Sequence, residues 1–371
     1  MLVYLSPVPW SSFAQRPHHF VRAIKNIAGQ EVLWIDPYPT RLPRLDDFRR
    51  NTCRFDVTPA ERGISVVVPR SFPLEPLPIL NMLNPILFWK KLVVEILQRL
   101  GNDHASVVLG IGKPSKLALM LLDHLNVRTS FYDAMDDFPA FYSGLSRLMM
   151  ARVEKDIAQR TDSLFASSHA LVRKFNQYGL EVEYAPNACV DPASLRQTKP
   201  ATKRVQKRRV VVLGYIGTIA SWFDWKLIMM LATSRNDIEI HIHGSLHTRT
   251  PLTPPNVRFF PVCPQDRVYD VLETFDVGLI PFRKNSLTAS VDPVKYYEYL
   301  AAGKAVISTD FGEMVYHSGY PGVFVCKSRE MFLDAVDYAL DHQFNEQERL
   351  QFIVANSWQV RFSSLAARLM K

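Results

Sequence analysis

Ser290-Val291-Asp292-Pro293-Val294-Lys295-Tyr296-Tyr297-Glu298-Tyr299-Leu300-Ala301-Ala302-Gly303-Lys304-Ala305-Val306-Ile307-Ser308 reads as a short helix that runs into a buried β-strand. Asp292 suits the helix N-cap. Pro293, followed by Val294, suits the first turn, because proline lacks an N–H that a first turn leaves unbonded anyway. Gly303 suits the C-terminal stop. Free backbone N–H groups and the helix dipole make such an N-terminus attractive to an anion such as a diphosphate. Lys295 adds a full positive charge in the first turn. Glu298, three residues on, shares its face and can accept hydrogen bonds from ribose hydroxyls. On spacing alone, an amphipathic helix with an ordinary surface Lys–Glu pair explains the same residues equally well.

Outward from this stretch, short β-branched runs alternate with helical patterns along the chain. Val3 to Leu5, Val32 to Ile35, Ile64 to Val68, Val107 to Leu109, Thr129 to Tyr132 and Ser163 to Ala166 read as strands. Helices fall between most of them, over Pro17 to Ala28, Ile79 to Leu100, Ser115 to Leu125, Leu145 to Gln159 and Ser168 to Tyr178. Asp191 to Arg209 breaks the rhythm with two prolines and the basic cluster Lys203-Arg204 and Lys207-Arg208-Arg209, as an interdomain linker does. The alternation restarts at Val210 and continues past the quoted stretch to Glu330–Leu340. Such alternation predicts parallel sheets joined by right-handed crossovers. A chain of 371 residues is also long for one core. The expectation is α/β, with Rossmann-like lobes over 1–190 and 209–345 and a linker at 191–208. Ligands belong beyond the carboxyl ends of the strands, in a cleft between the lobes.

Composition is globular, with 47% hydrophobic and 22% charged residues. The net charge of +8, from 44 Lys and Arg against 36 Asp and Glu, suits an anionic partner such as a nucleotide, a membrane surface or a nucleic acid. Cys53, Cys189, Cys263 and Cys326 lie far apart, which argues against a CxxC motif or zinc knuckle and for a reducing compartment. Ser6-Pro7 and Pro9 break the apolar opening before a leader could form, so a cytoplasmic location is expected.

Three further segments carry chemistry. Val210 to Leu213 leads into Gly214-Tyr215-Ile216-Gly217-Thr218, where Gly217 would let backbone approach a phosphate or sugar; a plain tight turn is an equal reading. Phe131-Tyr132-Asp133-Ala134-Met135-Asp136-Asp137-Phe138 places three carboxylates at a strand's carboxyl end. One there can take a proton from an acceptor hydroxyl, although Asp136 or Asp137 also suits the cap of the turn at Pro139. Trp10 to Phe20 holds Arg16, His18 and His19 at the start of the first helix; a histidine pair without metal-spaced partners is more often structural.

Together these segments resemble GT-B glycosyltransferases, two-lobed enzymes that move a sugar from a nucleotide diphosphate to an acceptor. The quoted stretch resembles their donor-binding helix, whose glutamate holds the nucleotide ribose. Pro293-Val294-Lys295 is similar to the Pro-x-Lys of a bacterial exopolysaccharide and teichuronic acid branch that includes the xanthan glucuronosyltransferase, where the lysine binds phosphate. Gly214 to Thr218 matches the family's G-x-x-G-T loop, Tyr132 to Asp137 its base-bearing segment and Trp10 to Phe20 its opening. The resemblance implies a metal-independent enzyme with no cofactor and a nucleotide-sugar co-substrate, with UDP the expected carrier. Gly217, Thr218, Val262, Arg283, Lys284, Pro293, Val294, Lys295 and Glu298 fall at the donor; Arg16, His18 and His19 fall at the acceptor. Asp136 is the expected base, with Asp137 in reserve. Ser357-Trp358 begins a terminal helix within 346–371 that crosses back to the first lobe. Retaining members carry a glutamate where this chain has Ser290, so the donor sugar is read differently here and inversion is the expected outcome.

Three rivals are weaker. Leu109-Gly110-Ile111-Gly112-Lys113-Pro114 offers G-x-G after a strand, but Ser115 replaces the third glycine of a dinucleotide loop. Nucleic-acid binding lacks any motif beyond scattered basic residues. A nucleotide-sugar epimerase of the same fold shares the donor site but needs no acceptor, and is the stronger alternative. Pro78 to Lys91, strongly apolar and ending in Trp89-Lys90-Lys91, predicts peripheral contact with the inner membrane face and a lipid-linked acceptor. The competing reading packs this helix against the first sheet.

Overall fold

The computed structural model describes residues 1–42, 58–77, 79–100, 107–190, 210–264 and 267–369. The basic cluster at 203–209 and the expected linker at 191–208 lie outside the described residues, as does Cys53. Contacts divide the chain into one unit of Met1–Pro186 with Phe362–Lys371 and another of Asn187–Arg361.

In the first unit the apolar runs become β1 (Leu2–Leu5), β2 (Val32–Ile35), β3 (Thr58–Glu61), β4 (Ile64–Val67), β5 (Val108–Ile111), β6 (Thr129–Ala134), β7 (Ser163–Ala166) and β8 (Glu183–Tyr184). Among the described residues they form one sheet in the order β3-β4-β2-β1-β5-β6-β7-β8. β1, β2 and β5 are buried along their whole length, which explains their unbroken hydrophobicity: helices cover both faces of a parallel sheet. The departure is β3, antiparallel to β4 through a tight turn at Gly63, where alternation predicts only parallel neighbours. A two-strand hairpin needs no crossover helix, so it leaves no helical signature in the sequence.

The second unit holds β9 (Val211–Ile216), β10 (Ile238–His243), β11 (Val257–Phe260), β12 (Val277–Ile280), β13 (Ala305–Thr309) and β14 (Val323–Cys326). Their order is β11-β10-β9-β12-β13-β14, and all of these strands pair in parallel. The strand order reverses beside β9, and that switch point brings the ends of β9 and β12 together. The helix Glu346–Ala355 packs into this unit, with Phe352 and Ile353 in its core. The return to the first unit therefore starts at Phe362, within the helix Trp358–Leu369, rather than at 346. Phe362 is fully buried there, its ring 4.6 Å from that of Phe20.

Candidate active site

The helix expected at the quoted stretch runs over Val294–Ala301. Pro293, not Asp292, occupies its N-cap position, and no side chain caps it. Asp292 is committed elsewhere. Its Oδ2 accepts from the Asn187 backbone N–H at 2.6 Å and from Tyr297 Oη at 3.1 Å, while Asn187 Nδ2 donates to the Asp292 carbonyl at 2.6 Å. The front of the helix is thus fastened to the first residue of its unit. Gly303 ends the helix as expected, with φ 67, and the Lys304 N–H reaches back to the Tyr299 carbonyl.

Lys295 leaves this helix toward β9 and β12. Its Nζ lies 5.4 Å from the centre of the Tyr215 ring and 5.7 Å from that of Phe282. Among the described residues no carboxylate forms an ion pair with it. Burial pushes its ammonium below the usual lysine range, with Glu298 pulling the other way. Burial likewise pushes the Glu298 carboxyl up to about 7 against the attraction of Lys295. The Gly217 turn lies against the lysine: a Cβ there would stand 2.6 Å from Lys295 Cε and 2.7 Å from Nζ. Gly217 has φ 139, and its N–H donates to the His243 carbonyl at 2.8 Å. Gly244 backs onto the Gly217 carbonyl so closely that a side chain has no room. A cation in no ion pair beside bare backbone, at the ends of parallel strands, has the chemistry to meet a phosphate oxygen.

The other donor candidates divide. Thr218 continues the Gly217 turn, its carbonyl accepting from Tyr215 Oη at 2.8 Å. Arg283 is exposed and directly follows Phe282, the ring beneath Lys295. Lys284 points to Asp310, at 2.7 Å. Val262 is 57% exposed in the loop after β11, apart from the Lys295 group's ring and backbone neighbours. Tyr215 and Phe282 are the residues that sequence reading missed; they look like ordinary strand-end aromatics, and only the sheet order puts both under one lysine.

In the first unit, the three acids at the end of β6 have three different fates. Asp133 is fully buried and clamps Arg16, whose Nη2 lies 2.6 Å from Oδ1 and whose Nε donates to both carboxylate oxygens. Arg16 Nη1 donates to the Ala185 carbonyl at 2.7 Å, and the guanidinium lies over the Phe362 ring. Arg16 is therefore a buried brace, not the surface acceptor ligand its position suggested. Asp137 pairs with Lys174 at 2.6 Å, and Lys174 also grips the buried Glu154. Asp137 occupies the N-cap position of the Phe138–Phe141 turn but makes no side-chain capping bond. Asp136 has no side-chain partner among the described residues. Burial pushes its carboxyl up to about 7; Arg16 lowers it, and Asp137 and Asp133 raise it. A half-buried, unpaired carboxylate that titrates near neutrality is what a general base requires. Lys174 and Glu154 lie too far along the sequence for any motif to have linked them to Asp136.

The histidines serve the backbone. His18 Nδ1 accepts the Gln15 N–H at 3.2 Å, closing a capping box at the first helix, and Nε2 faces the Trp10 carbonyl at 3.3 Å. Its ring lies 4.8 Å from Trp34 and 5.1 Å from Trp10, and it is 1% exposed, so it is not open to an acceptor. Burial and neighbouring Arg22 hold His19 down at about 3, neutral across the physiological range.

Pro85 to Trp89 is a single π-helical turn between a 3-10 turn, Leu80–Met82, and the helix Lys90–Leu100. Sequence predicts one continuous helix here. Trp89, expected at an exposed edge, is fully buried: its ring lies 5.3 Å from Tyr38 and its Nε1 donates to the Arg70 carbonyl. What faces outward is Ile79, Leu80, Met82, Leu83, Ile86 and Leu87. Ile79 is 83% exposed with φ 70, a conformation a β-branched residue rarely adopts. Buried Asn84 ties the segment down by bonding both the N–H and the carbonyl of Phe72. Among the described residues no helix is long and apolar enough to cross a membrane.

Two Rossmann-like units, each with its candidate residues at the carboxyl ends of parallel strands, give this chain the GT-B fold of nucleotide-sugar glycosyltransferases. No family model matches the chain. It is 30% identical over 197 residues to TuaH of Bacillus subtilis (strain 168), a protein assigned to teichuronic acid biosynthesis as a glycosyltransferase. That alignment covers 48% of this chain and 50% of the relative, so the match spans about half of TuaH. Solved structures match from end to end. Sucrose-phosphate synthase of Thermosynechococcus elongatus aligns with a TM-score of 0.66 at 13% identity, covering 99% of this chain and 98% of that one. The UDP-forming α,α-trehalose-phosphate synthase of Burkholderia xenovorans aligns at 0.64 and 10% identity, covering 100% and 99%.

Proposed function

We propose that this chain is a glycosyltransferase that takes a hexosyl or uronosyl group from a UDP-sugar and passes it to a lipid-linked glycan at the inner face of a bacterial membrane. The observation that carries the reading is Lys295, held without a counter-ion against the Gly217 turn, with Glu298 on the same helix face. A diphosphate would meet the Lys295 ammonium, the Arg283 guanidinium and the first N–H groups of the Val294–Ala301 helix, and Glu298 would accept from the ribose. The likeness to a UDP-forming synthase supports UDP as the carrier, and the TuaH relationship supports polysaccharide assembly.

In this reading Asp136 takes the acceptor hydroxyl's proton as its oxygen attacks the anomeric carbon. The bond from that carbon to the diphosphate breaks, and the donors around Lys295 stabilise the charge that UDP carries away. The reaction needs no metal, because those cations and the helix N-terminus meet the same charge. With Ser290 in place of a second glutamate and a base in the first unit, the product is inverted; its anomeric configuration by NMR checks this. The outward aliphatics from Ile79 to Leu87 supply the membrane contact. The reading as a whole is tested by thermal shift against a panel of nucleotide sugars. A ligand at 100 times its Kd adds about 2.7 kcal/mol of stability. A panel in which no UDP-sugar moves the melting temperature would sink it.

A further inference from the structure

We propose that Lys174 is a positioning residue for the Asp136 base: it holds and offsets the neighbouring Asp137 carboxylate, so that Asp136 is the acid left to take a proton. This rests on reading Asp136 as the base of a glycosyl transfer and deepens that reading.

The end of β6 and the turn after it carry Asp133, Asp136 and Asp137. Carboxylates so close together, and partly withdrawn from water, make one another harder to ionise. The fold answers two of the three with cations. Arg16 clamps Asp133. Lys174 Nζ lies 2.6 Å from Asp137 Oδ1 and 2.5 Å from Glu154 Oε2. Asp136, between them in the chain, receives no ion pair among the described residues.

Lys174 is itself firmly placed. It lies in the last turn of the helix His169–Asn176, with its ammonium 5.3 Å from the centre of the Phe175 ring. Glu154 reaches it from the helix Gly144–Arg160 and accepts from Tyr132 Oη, on β6, at 3.1 Å. Burial works against the Lys174 charge, but Glu154 and Asp137 outweigh it and hold the ammonium above the usual lysine range. Lys174 therefore stays a cation wherever Asp136 titrates. Glu154 behaves differently: burial pushes it up to about 7 against the pull of Lys174, with Asp137 adding to the rise. At Asp136, burial raises the carboxyl, Arg16 lowers it, and Asp137 and Asp133 raise it further. That balance is struck with Asp137 already paired. Without Lys174 the Asp137 charge acts on Asp136 undiminished, buried Glu154 takes up a proton, and the base needs a higher pH to ionise.

The test reads the Asp136 carboxyl directly. Its carboxyl-carbon NMR signal, the one that Asp136→Asn removes, is followed against pH in the full chain. In the wild type its midpoint should fall at about 7. Lys174→Met should move that midpoint upward by about half a pH unit or more, the scale of one partly screened charge. Lys174→Arg should hold it in place. In an Asp137→Asn background Lys174→Met should move it far less, because the charge that the lysine offsets is gone. Turnover should follow: kcat/KM about threefold lower on the acid limb in Lys174→Met, with the plateau at high pH retained. A purely structural ion pair would change the melting temperature and leave the midpoint alone. An unmoved midpoint in Lys174→Met overturns the proposal, as does an equal shift with and without Asp137. Should Lys174→Met not fold, Lys174→Met/Glu154→Gln leaves no buried carboxylate unpaired, and is read against Glu154→Gln with the same expectation. Full turnover in Asp136→Asn would sink the base assignment itself, an outcome separate from any result on the Lys174 midpoints.

Discussion

Lys295 and Gly217 are in contact distance of one another across two elements, such that a single methyl group on the glycine would fall 2.7 Å from the lysine's Nζ. Gly217→Ala should therefore displace the ammonium and strain a backbone at φ 139, where side chains are disfavoured. The expected result is UDP affinity weaker by about tenfold or more, the scale of one lost charge-assisted contact, while circular dichroism stays native. Retained UDP affinity in the alanine variant would show that this turn is not where phosphate binds.

Lys295→Ala and Glu298→Ala should each weaken UDP, and for different reasons. The lysine variant loses charge at the diphosphate; the glutamate variant loses an acceptor at the ribose. Titrating UDP against uridine separates them: Lys295→Ala should lose its preference for UDP, and Glu298→Ala should weaken both. Because burial pushes Glu298 up to about 7, wild-type UDP affinity should also rise with pH through that value as the carboxylate ionises. Equal affinity in both variants and wild type would sink the donor assignment.

Much of this is legible in the sequence. Strands such as Val32–Ile35 and Val277–Ile280 are buried on both faces, and continuous apolar runs announce that. The Val294–Ala301 helix was bounded by residues whose backbone preferences are local: Pro293 before it and Gly303 after it. What stayed hidden depends on distant partners. Asp292 looked like a cap because nothing nearby signals that Asn187 would claim its carboxylate. Arg16 looked like a ligand because its partner, Asp133, lies on a strand far along the chain. Trp89 looked like an interfacial anchor because periodicity assumes a regular helix, and the π turn at Pro85–Trp89 rotates it inward.

Asp136→Asn should leave UDP affinity nearly unchanged and lower turnover by about 10²-fold or more, since only proton transfer is lost. For the wild type, kcat/KM should rise with pH through about 7, because a base raised to that value works only once deprotonated. Asp137→Asn removes a negative charge that raises Asp136, so its profile should shift to lower pH while activity on the plateau persists. Loss of activity in Asp137→Asn with Asp136→Asn still active would reassign the base to Asp137.

The membrane prediction now rests on aliphatic residues rather than on Trp89. Ile79, Leu80, Met82, Leu83, Ile86 and Leu87 face outward from a segment that buried Asn84 and Trp89 hold in place, and Ile79 is kept in a backbone region that costs about 1–3 kcal/mol. Exposed apolar side chains gathered on one segment suit a surface that covers them. Lys90 and Lys91 are exposed just beyond it and suit anionic headgroups, at about 1 kcal/mol per basic residue near such a surface. Shallow insertion with those charges gives reversible binding, weaker at high salt. The protein should pellet with anionic liposomes at low salt and release as salt rises. Leu83→Glu/Leu87→Glu should abolish pelleting without lowering the melting temperature, because both side chains already face water. Lys90→Glu/Lys91→Glu should weaken binding chiefly at low salt. If the double glutamate variant at 83 and 87 pellets like wild type, this segment is not the membrane contact; if the wild type is dimeric by sedimentation equilibrium and the variant monomeric, the surface meets a second copy of the chain instead.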